Sequence, residues 1–262
     1  ASFLATIEEK LGQPLSNYFD LIAGTSTGAL IAAGIANGKS ASTIRELYET
    51  KSSTIFTRLP KKRSWKWLGF KSVGNLPVGR NVAKKFSDAG FDTATLVGPK
   101  YGNKELRNEL YRVFGDATLE DVRHSRLLAL SADLTRGTTV AFKTPHLPYM
   151  FRDRHYSIVD VLTASAAAPI YFPPAKVGTG NDHVDGGLWA NNPTLCALAE
   201  AVRIGRDCKR LGVDPQVTYD DIEVLSIGTG NAAAYQDIPS EEGNRSRPGV
   251  MNQAGAVFRL LM

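Results

Sequence analysis

The stretch that decides the fold is residues 18–37, which read YFDLIAGTSTGALIAAGIAN. Its apolar first part, Tyr18–Ala23, predicts a buried β-strand, and its small-residue last part, Ala29–Asn37, predicts an α-helix. Between them, Gly24–Gly28 matches the pattern G-x-S-x-G, in which a serine stands on a sharp turn from strand to helix. Such a turn would lift the hydroxyl of Ser26 out of the sheet and expose it to a reactant.

Three neighbours of this serine carry predictions of their own. We expect glycine at Gly24 and Gly28 because a Cβ atom at either position would clash with the neighbouring strand and helix. Since the helix begins directly after Ser26, the backbone N–H of Thr27 would lie beneath a developing oxyanion at the positive end of the helix dipole. We therefore predict Ser26 as a nucleophile and Thr27 as an oxyanion-hole donor.

Strands and helices alternate along the rest of the chain. Further strands are predicted at 127–132, 138–142 and 222–227, and further helices at 3–11, 103–114, 157–168 and 193–210. Thr43 and Glu46 fit a capping box that would open one more helix. The alternation predicts an α/β fold with three α/β/α layers, in which helices cover both faces of a mostly parallel central sheet.

The composition fits one large domain. The chain has 262 residues, 43% of them apolar and 22% charged, which excludes disordered, collagen-like and coiled-coil proteins. The longest apolar stretch, 29–36, is too short to cross a bilayer, so we do not expect an integral membrane protein. Only two cysteines are present, which is typical of reduced thiols in a cytoplasmic protein.

A serine nucleophile needs a base, and histidine is the usual one. No histidine follows Asp185, so this acid cannot serve in a triad of the chain order serine, acid, histidine. An earlier acid, Asp133 or Asp160, could still act together with His155 or His183. The chain contains four histidines, which are His124, His146, His155 and His183.

A second candidate base is Asp185 itself, which precedes Gly186 and Gly187. An acid before two glycines indicates a carboxylate on a tight turn that another group approaches closely, although Asp-Gly is also common in ordinary turns. The stretch Asn191-Asn192-Pro193 follows a few residues later.

Together these motifs resemble the patatin-like phospholipase family. The pieces that match, in order, are residues 20–28, 164–169, 171–174, 185–187, 191–193 and 224–230. The resemblance implies a patatin-like fold with a catalytic dyad, in which Ser26 is the nucleophile and Asp185 the base that acts on it directly. It also implies hydrolysis of phospholipid carboxylic esters through an acyl-enzyme, as in a phospholipase A or lysophospholipase, with no metal and no cofactor.

One part of the family pattern has no counterpart in this sequence. The family carries a glycine-rich D-G-G-G-x-R-G loop upstream of the nucleophile, whose backbone N–H groups form the oxyanion hole, and residues 1–23 do not match it. We therefore expect residues 1–262 to form a single hydrolase domain without its first strand and this loop, which either have been removed or precede residue 1. Losing one such donor typically costs on the order of 10²–10³ in rate.

A basic insertion covers residues 50–87. It carries ten Lys or Arg and no Asp or Glu, which more than accounts for the net charge of +5. Cations beside tryptophan are typical of a lid that contacts anionic lipid, so we predict a phospholipid substrate and peripheral association with the inner membrane. A solvated insertion with its tryptophans packed inward stays open, and no nucleic acid polymer is expected. The candidate membrane contacts are Lys61, Lys62, Arg63, Trp65 and Trp67.

Two further hypotheses concern the partners of this protein, and two alternative functions stay open. Residues 98–101 and 103–115 look like bacterial patatin-like proteins, some of which are antiviral defence effectors switched on by a cyclic nucleotide, so a cyclic nucleotide activator is a candidate partner. An oligomer is also compatible with the sequence. The alternatives to a dyad enzyme are a non-catalytic lipid-binding or storage member of the fold and a histidine-dependent serine esterase or acyltransferase.

Overall fold

The computed structural model describes residues 1–59, 99–214 and 217–228. One sheet is formed by β1 (Leu21–Thr25), β2 (Arg126–Asp133), β3 (Thr138–Lys143), β4 (Ala175–Lys176) and β5 (Asp182–Asp185). The α-helices are α1 (Ser2–Leu11), α2 (Thr27–Ala36), α3 (Ala41–Ile55), α4 (Asn103–Phe114), α5 (Ile158–Ser165), α6 (Gly187–Ala190) and α7 (Thr194–Leu211). Among these residues, no helix combines the length and the apolar character that crossing a membrane requires.

Strand β2 organises the sheet because three other strands pair with it. β1 runs parallel to its first part, Arg126–Leu130, and β5 runs antiparallel to its last part, Ser131–Asp133. β3 pairs with Leu128–Asp133, which overlaps both of these parts. β1 and β5 therefore share the opposite edge of β2, one after the other, and their carboxyl ends meet between Leu130 and Ser131.

The predicted α/β class is confirmed, but the described sheet is not mostly parallel. Only the pairing of β1 with β2 is parallel, whereas the pairings β2–β3, β2–β5 and β4–β5 are antiparallel. The physical reason is clearest between β2 and β3, where residues 134–137 form a short turn that can join only antiparallel neighbours. The predicted strand at 222–227 pairs with no other strand among the described residues.

Helices cover both faces of the sheet, as predicted. The cross-strand pair Ala129 and Phe142 belongs to the main apolar core, which includes residues of α2, α4 and α5. The adjacent pair, Leu128 and Lys143, faces the other side because successive strand residues alternate. There the Nζ of Lys143 donates a hydrogen bond to Glu200 of α7 at 2.6 Å. The sheet therefore lies between two helical layers.

The start of α3 differs from its prediction. Ser40 caps this helix, because its Oγ accepts a hydrogen bond from the N–H of Thr43 at 3.2 Å. The carboxylate of Glu8 on α1 accepts from the N–H of Ala41 at 2.6 Å and satisfies a second free donor of the first turn. The predicted capping box of Thr43 and Glu46 is therefore wrong, because the helix already begins at Ala41 with Ser40 as its cap.

Candidate active site

Ser26 stands on the predicted sharp turn between β1 and α2. Its backbone has φ 55° and ψ −128°, a conformation that L residues rarely adopt. The turn is tight enough to require glycine at Gly24, where a Cβ atom would lie 2.3 Å from the carbonyl oxygen of Gly28 and 2.5 Å from the backbone of Ala29. The strained serine is thus held by the close approach of strand and helix.

Gly28 does not have the role that the sequence predicted. A Cβ atom at this position would meet nothing within 4 Å among the described residues, so the expected clash does not occur there. The backbone of Gly28 is what matters, because its carbonyl oxygen is the group that a side chain at Gly24 would strike.

Asp185 is the last residue of β5 and is fully buried. One carboxylate oxygen, Oδ2, accepts a hydrogen bond from the Oγ of Ser26 at 2.6 Å. The other, Oδ1, accepts from the backbone N–H of Gly187 at 2.7 Å. A Cβ atom at Gly186 would lie 2.4 Å from the carbonyl oxygen of Leu130, so the chain must carry glycine here to pass β2. The two predicted residues, 159 positions apart, are in direct contact.

Burial sets the acidity of this carboxyl group. It raises the pKa of Asp185 to about 6, and the hydrogen bonds from Ser26 and Gly187 offset the effect only in part. A base accepts a proton more effectively when its pKa lies nearer the working pH. The arrangement can therefore remove the proton of the Ser26 hydroxyl near neutral pH.

Thr27 follows Ser26 and is the first residue of α2, so its backbone N–H lies at the amino end of that helix. Such N–H groups have no partner within the helix and are free to stabilise negative charge. The role of Thr27 as an oxyanion donor stays a prediction.

The structure does not assemble the alternative triad. Asp160 pairs with Arg107 at 2.6 Å, and Asp133 accepts a hydrogen bond from the side chain of Asn181 at 2.6 Å. Among the hydrogen bonds of the described residues, none joins the hydroxyl of Ser26 to any of the four histidines, which are His124, His146, His155 and His183.

Sequence reasoning missed one residue of this site. Ser165, at the end of α5, accepts a hydrogen bond from the backbone N–H of Ser26 at 3.2 Å through its own hydroxyl. Its place in the run of small residues 164–168 marked it only as part of a family motif.

The candidate membrane contacts at residues 61–67 lie outside the described residues and stay predictions. The described residues hold no cluster of three His, Cys, Asp or Glu suited to a metal ion.

Comparison with known proteins adds an independent line of evidence. The family model for patatin-like phospholipases matches residues 1–198. A cGAMP-activated phospholipase from Vibrio cholerae is 32% identical over 229 residues, which cover 85% of this chain and 57% of the relative.

Two other relatives give a similar picture. A cGAMP-activated phospholipase from Pseudomonas aeruginosa is 34% identical over 200 residues, covering 76% of this chain and 51% of that protein. Patatin-like protein 2 from Arabidopsis thaliana is 29% identical over 254 residues, covering 87% of this chain and 54% of the plant protein. The chain thus spans a little over half the length of the curated relatives it matches.

Proposed function

Because the chain belongs to the patatin-like phospholipase family, we propose that it is a lipid acyl hydrolase that cleaves the carboxylic esters of membrane phospholipids. Ser26 is its nucleophile and Asp185 its base. The observation that carries the proposal is the 2.6 Å hydrogen bond from the Ser26 hydroxyl to a fully buried carboxylate whose pKa is raised to about 6. This geometry favours direct proton transfer without a histidine.

The first half of the reaction forms an acyl-enzyme. The Oγ of Ser26 attacks the carbonyl carbon of the ester while its proton passes to Oδ2 of Asp185. The backbone N–H of Thr27 stabilises the oxyanion of the tetrahedral intermediate. As the intermediate collapses, the carbon–oxygen bond to the lysolipid breaks, and Asp185 returns the proton to the leaving oxygen.

The second half releases the fatty acid. A water molecule gives a proton to the Asp185 carboxylate as its oxygen attacks the acyl carbon. When this second intermediate collapses, the proton moves from Asp185 to the Oγ of Ser26 and the enzyme is restored. In both halves, the N–H of Gly187 keeps the carboxylate turned toward the serine through its 2.7 Å hydrogen bond to Oδ1.

The decisive test is fatty-acid release from defined phospholipid vesicles by the full-length protein. We expect Ser26→Ala to abolish release and to abolish labelling by a fluorophosphonate probe. His155→Gln and His183→Leu serve as controls, since a histidine-dependent esterase would lose its activity in one of them. A Ser26→Ala protein that releases fatty acid at the wild-type rate contradicts the proposal. An unlabelled wild-type Ser26 would instead favour a non-catalytic lipid-binding protein.

Peripheral association with an anionic membrane is the second part of the proposal. Residues 50–87 combine ten cations with no acidic side chain, a composition that suits an anionic lipid surface. We expect the double variant Trp65→Ala, Trp67→Ala to bind phosphatidylglycerol vesicles more weakly in a sedimentation assay. Unchanged binding, with phosphatidylcholine vesicles as the control surface, would remove the lid from the proposal.

Activation by a cyclic nucleotide is the third part. It is supported by two bacterial relatives whose names describe them as cGAMP-activated phospholipases, at 32% and 34% identity. We expect a cyclic dinucleotide to raise both fatty-acid release and the thermal unfolding midpoint of the full-length protein. A complete panel of cyclic dinucleotides that changes neither would exclude this activator, and with it the support for a role in antiviral defence.

A further inference from the structure

The end of α5 and the residues directly after it form hydrogen bonds with the backbone of both members of the proposed dyad. The N–H of Ser26 donates to the Oγ of Ser165 at 3.2 Å. The N–H of Asp185 donates to the carbonyl oxygen of Ala167 at 3.0 Å, and the N–H of Gly186 donates to that of Ser165 at 3.4 Å. One short stretch of chain therefore holds both the nucleophile turn and the base turn.

The hydroxyl of Ser165 has a fixed direction. It donates its one proton to the carbonyl oxygen of Leu130 on β2 at 2.6 Å, so only its lone pairs can face the N–H of Ser26. Leu130 is the β2 residue paired with Thr25, the last residue of β1. The hydroxyl thus bridges the two strands at the point where their pairing ends, and Ser165 is fully buried there.

The backbone N–H of Ser26 needs a hydrogen-bond acceptor such as the Ser165 hydroxyl. β1 ends at Thr25 and α2 begins at Thr27, so this N–H belongs to neither the strand nor the helix. Ser26 is also buried and has a positive φ, a conformation that persists only where surrounding contacts impose it. A buried N–H without a partner would add to that strain.

We propose that Ser165 is a positioning residue, whose hydroxyl holds the strained backbone of Ser26 so that its Oγ points at Asp185. This inference rests on the proposed function. It concerns the placement of the nucleophile, since Ser165 touches the backbone of the dyad and not its reacting atoms.

The test is Ser165→Ala, with Thr163→Val as the matched control. Thr163 lies on the same helix, is also fully buried, and its hydroxyl donates to the carbonyl oxygen of Val159 at 2.6 Å; among the described residues, no hydrogen bond joins it to Ser26 or Asp185. Both variants lose one buried hydroxyl, so both should lose some stability. We expect only Ser165→Ala to lower kcat, on the order of 10–100-fold, with KM within about twofold.

Two further readouts separate positioning from general damage. The rate at which a fluorophosphonate labels Ser26 should fall by the same factor as kcat, because both reactions need the same placement of Oγ. The pH midpoint of kcat/KM should rise in Ser165→Ala but not in Thr163→Val, because a misplaced Oγ weakens the Ser26 hydrogen bond that lowers the pKa of Asp185. A kcat for Ser165→Ala within about threefold of that for Thr163→Val would overturn the inference.

Ser165→Cys decides the question if the alanine variant does not fold. It keeps a side chain of similar size but offers sulfur, a weaker acceptor, so we expect a kcat more than about threefold below that of Thr163→Val. Activity equal to that of Thr163→Val would overturn the inference. If the wild type releases no fatty acid, the proposed function fails, and the relative fluorophosphonate labelling rates still decide on Ser165.

Discussion

Asp185 and Glu200 are two buried carboxylates whose hydrogen-bond partners differ in charge. The oxygens of Asp185 accept from a neutral hydroxyl and a neutral backbone N–H. Those of Glu200 accept from Lys143 at 2.6 Å and from Arg203 at 2.5 Å. Among the described residues, no Lys, Arg or His forms an ion pair with Asp185.

The pKa values of the two groups move in opposite directions as a result. Burial raises the pKa of Asp185 to about 6. Burial also acts to raise the pKa of Glu200, but the hydrogen bonds and charges of Arg203 and Lys143 outweigh it and leave that pKa below its ordinary value. A buried carboxylate therefore has the raised pKa of a useful base only where no cation lies beside it, as at Asp185. Beside cations its pKa stays low, and it instead joins a helix to a strand through ion pairs, as Glu200 does.

The largest expected effect is on catalysis at Asp185. We expect Asp185→Asn to lower kcat at least about 10³-fold, because an amide cannot accept the proton of Ser26. Glu200→Gln should leave kcat of the folded protein within about threefold, since its partners are structural. Fatty-acid release at saturating substrate checks both. A Glu200→Gln protein with the larger loss would reverse the comparison.

The next largest effect is a gain in stability from Asp185→Asn. The pKa of Asp185 is raised from 3.8 to about 6, so the folded state binds the proton more tightly than the unfolded state. Its contribution to the free energy of unfolding therefore falls as the pH rises from about 4 to about 6. At pH 7.5, Asp185→Asn should be more stable than wild type by about 2–3 kcal/mol, and the difference should shrink to less than about 1 kcal/mol at pH 4.

Urea unfolding of both proteins at the two pH values measures this difference. Equal stability at pH 7.5 would mean that the buried charge of Asp185 is compensated by its surroundings, as it is at Glu200.

Lys143→Met should change the free energy of unfolding in the opposite direction from Asp185→Asn. It removes a charged hydrogen bond to buried Glu200 and should lower the free energy of unfolding by about 2 kcal/mol at pH 7.5. The apolar stem of the lysine is largely kept by methionine, so packing against the sheet changes little. Chemical unfolding measures the loss, and an unchanged or raised stability would show that the cation does not stabilise Glu200.

The smallest effect is the pH dependence of the reaction. With its pKa at about 6, Asp185 should give a kcat/KM that rises tenfold per pH unit below that value and levels off above it. Lys143→Met should keep the same midpoint, because its cation acts on the other carboxylate. A midpoint near 4 in fatty-acid release would indicate that burial does not raise the pKa of the working base.

Local features of this site could be predicted from the sequence, and long-range ones could not. The strand, turn and helix around Ser26 follow from neighbouring residues and are present. The pairing of Ser26 with Asp185 came from a family resemblance, because no local pattern joins residues 159 positions apart. The clash predicted at both Gly24 and Gly28 occurs only at Gly24, since spacing alone does not reveal which glycine faces the backbone.

The role of Ser165 and the antiparallel strand pairing also depend on long-range contacts that the sequence does not reveal. In the sequence, Ser165 is one small residue in a run of alanines, and its role depends on a carbonyl of Leu130 that lies 35 positions earlier. The antiparallel run of β5 along β2 likewise depends on which strand edge is vacant once β1 and β3 are in place. Periodicity predicts strands but not their neighbours.

The end-to-end placement of β1 and β5 on one edge of β2 has a consequence for biosynthesis. Asp185 is made 159 residues after Ser26, and the two meet only when both strands have docked. A chain that leaves the ribosome amino end first therefore carries Ser26 without its carboxylate partner until at least 159 further residues have been made. The proposed dyad therefore cannot form before β5 has been made and has docked on β2.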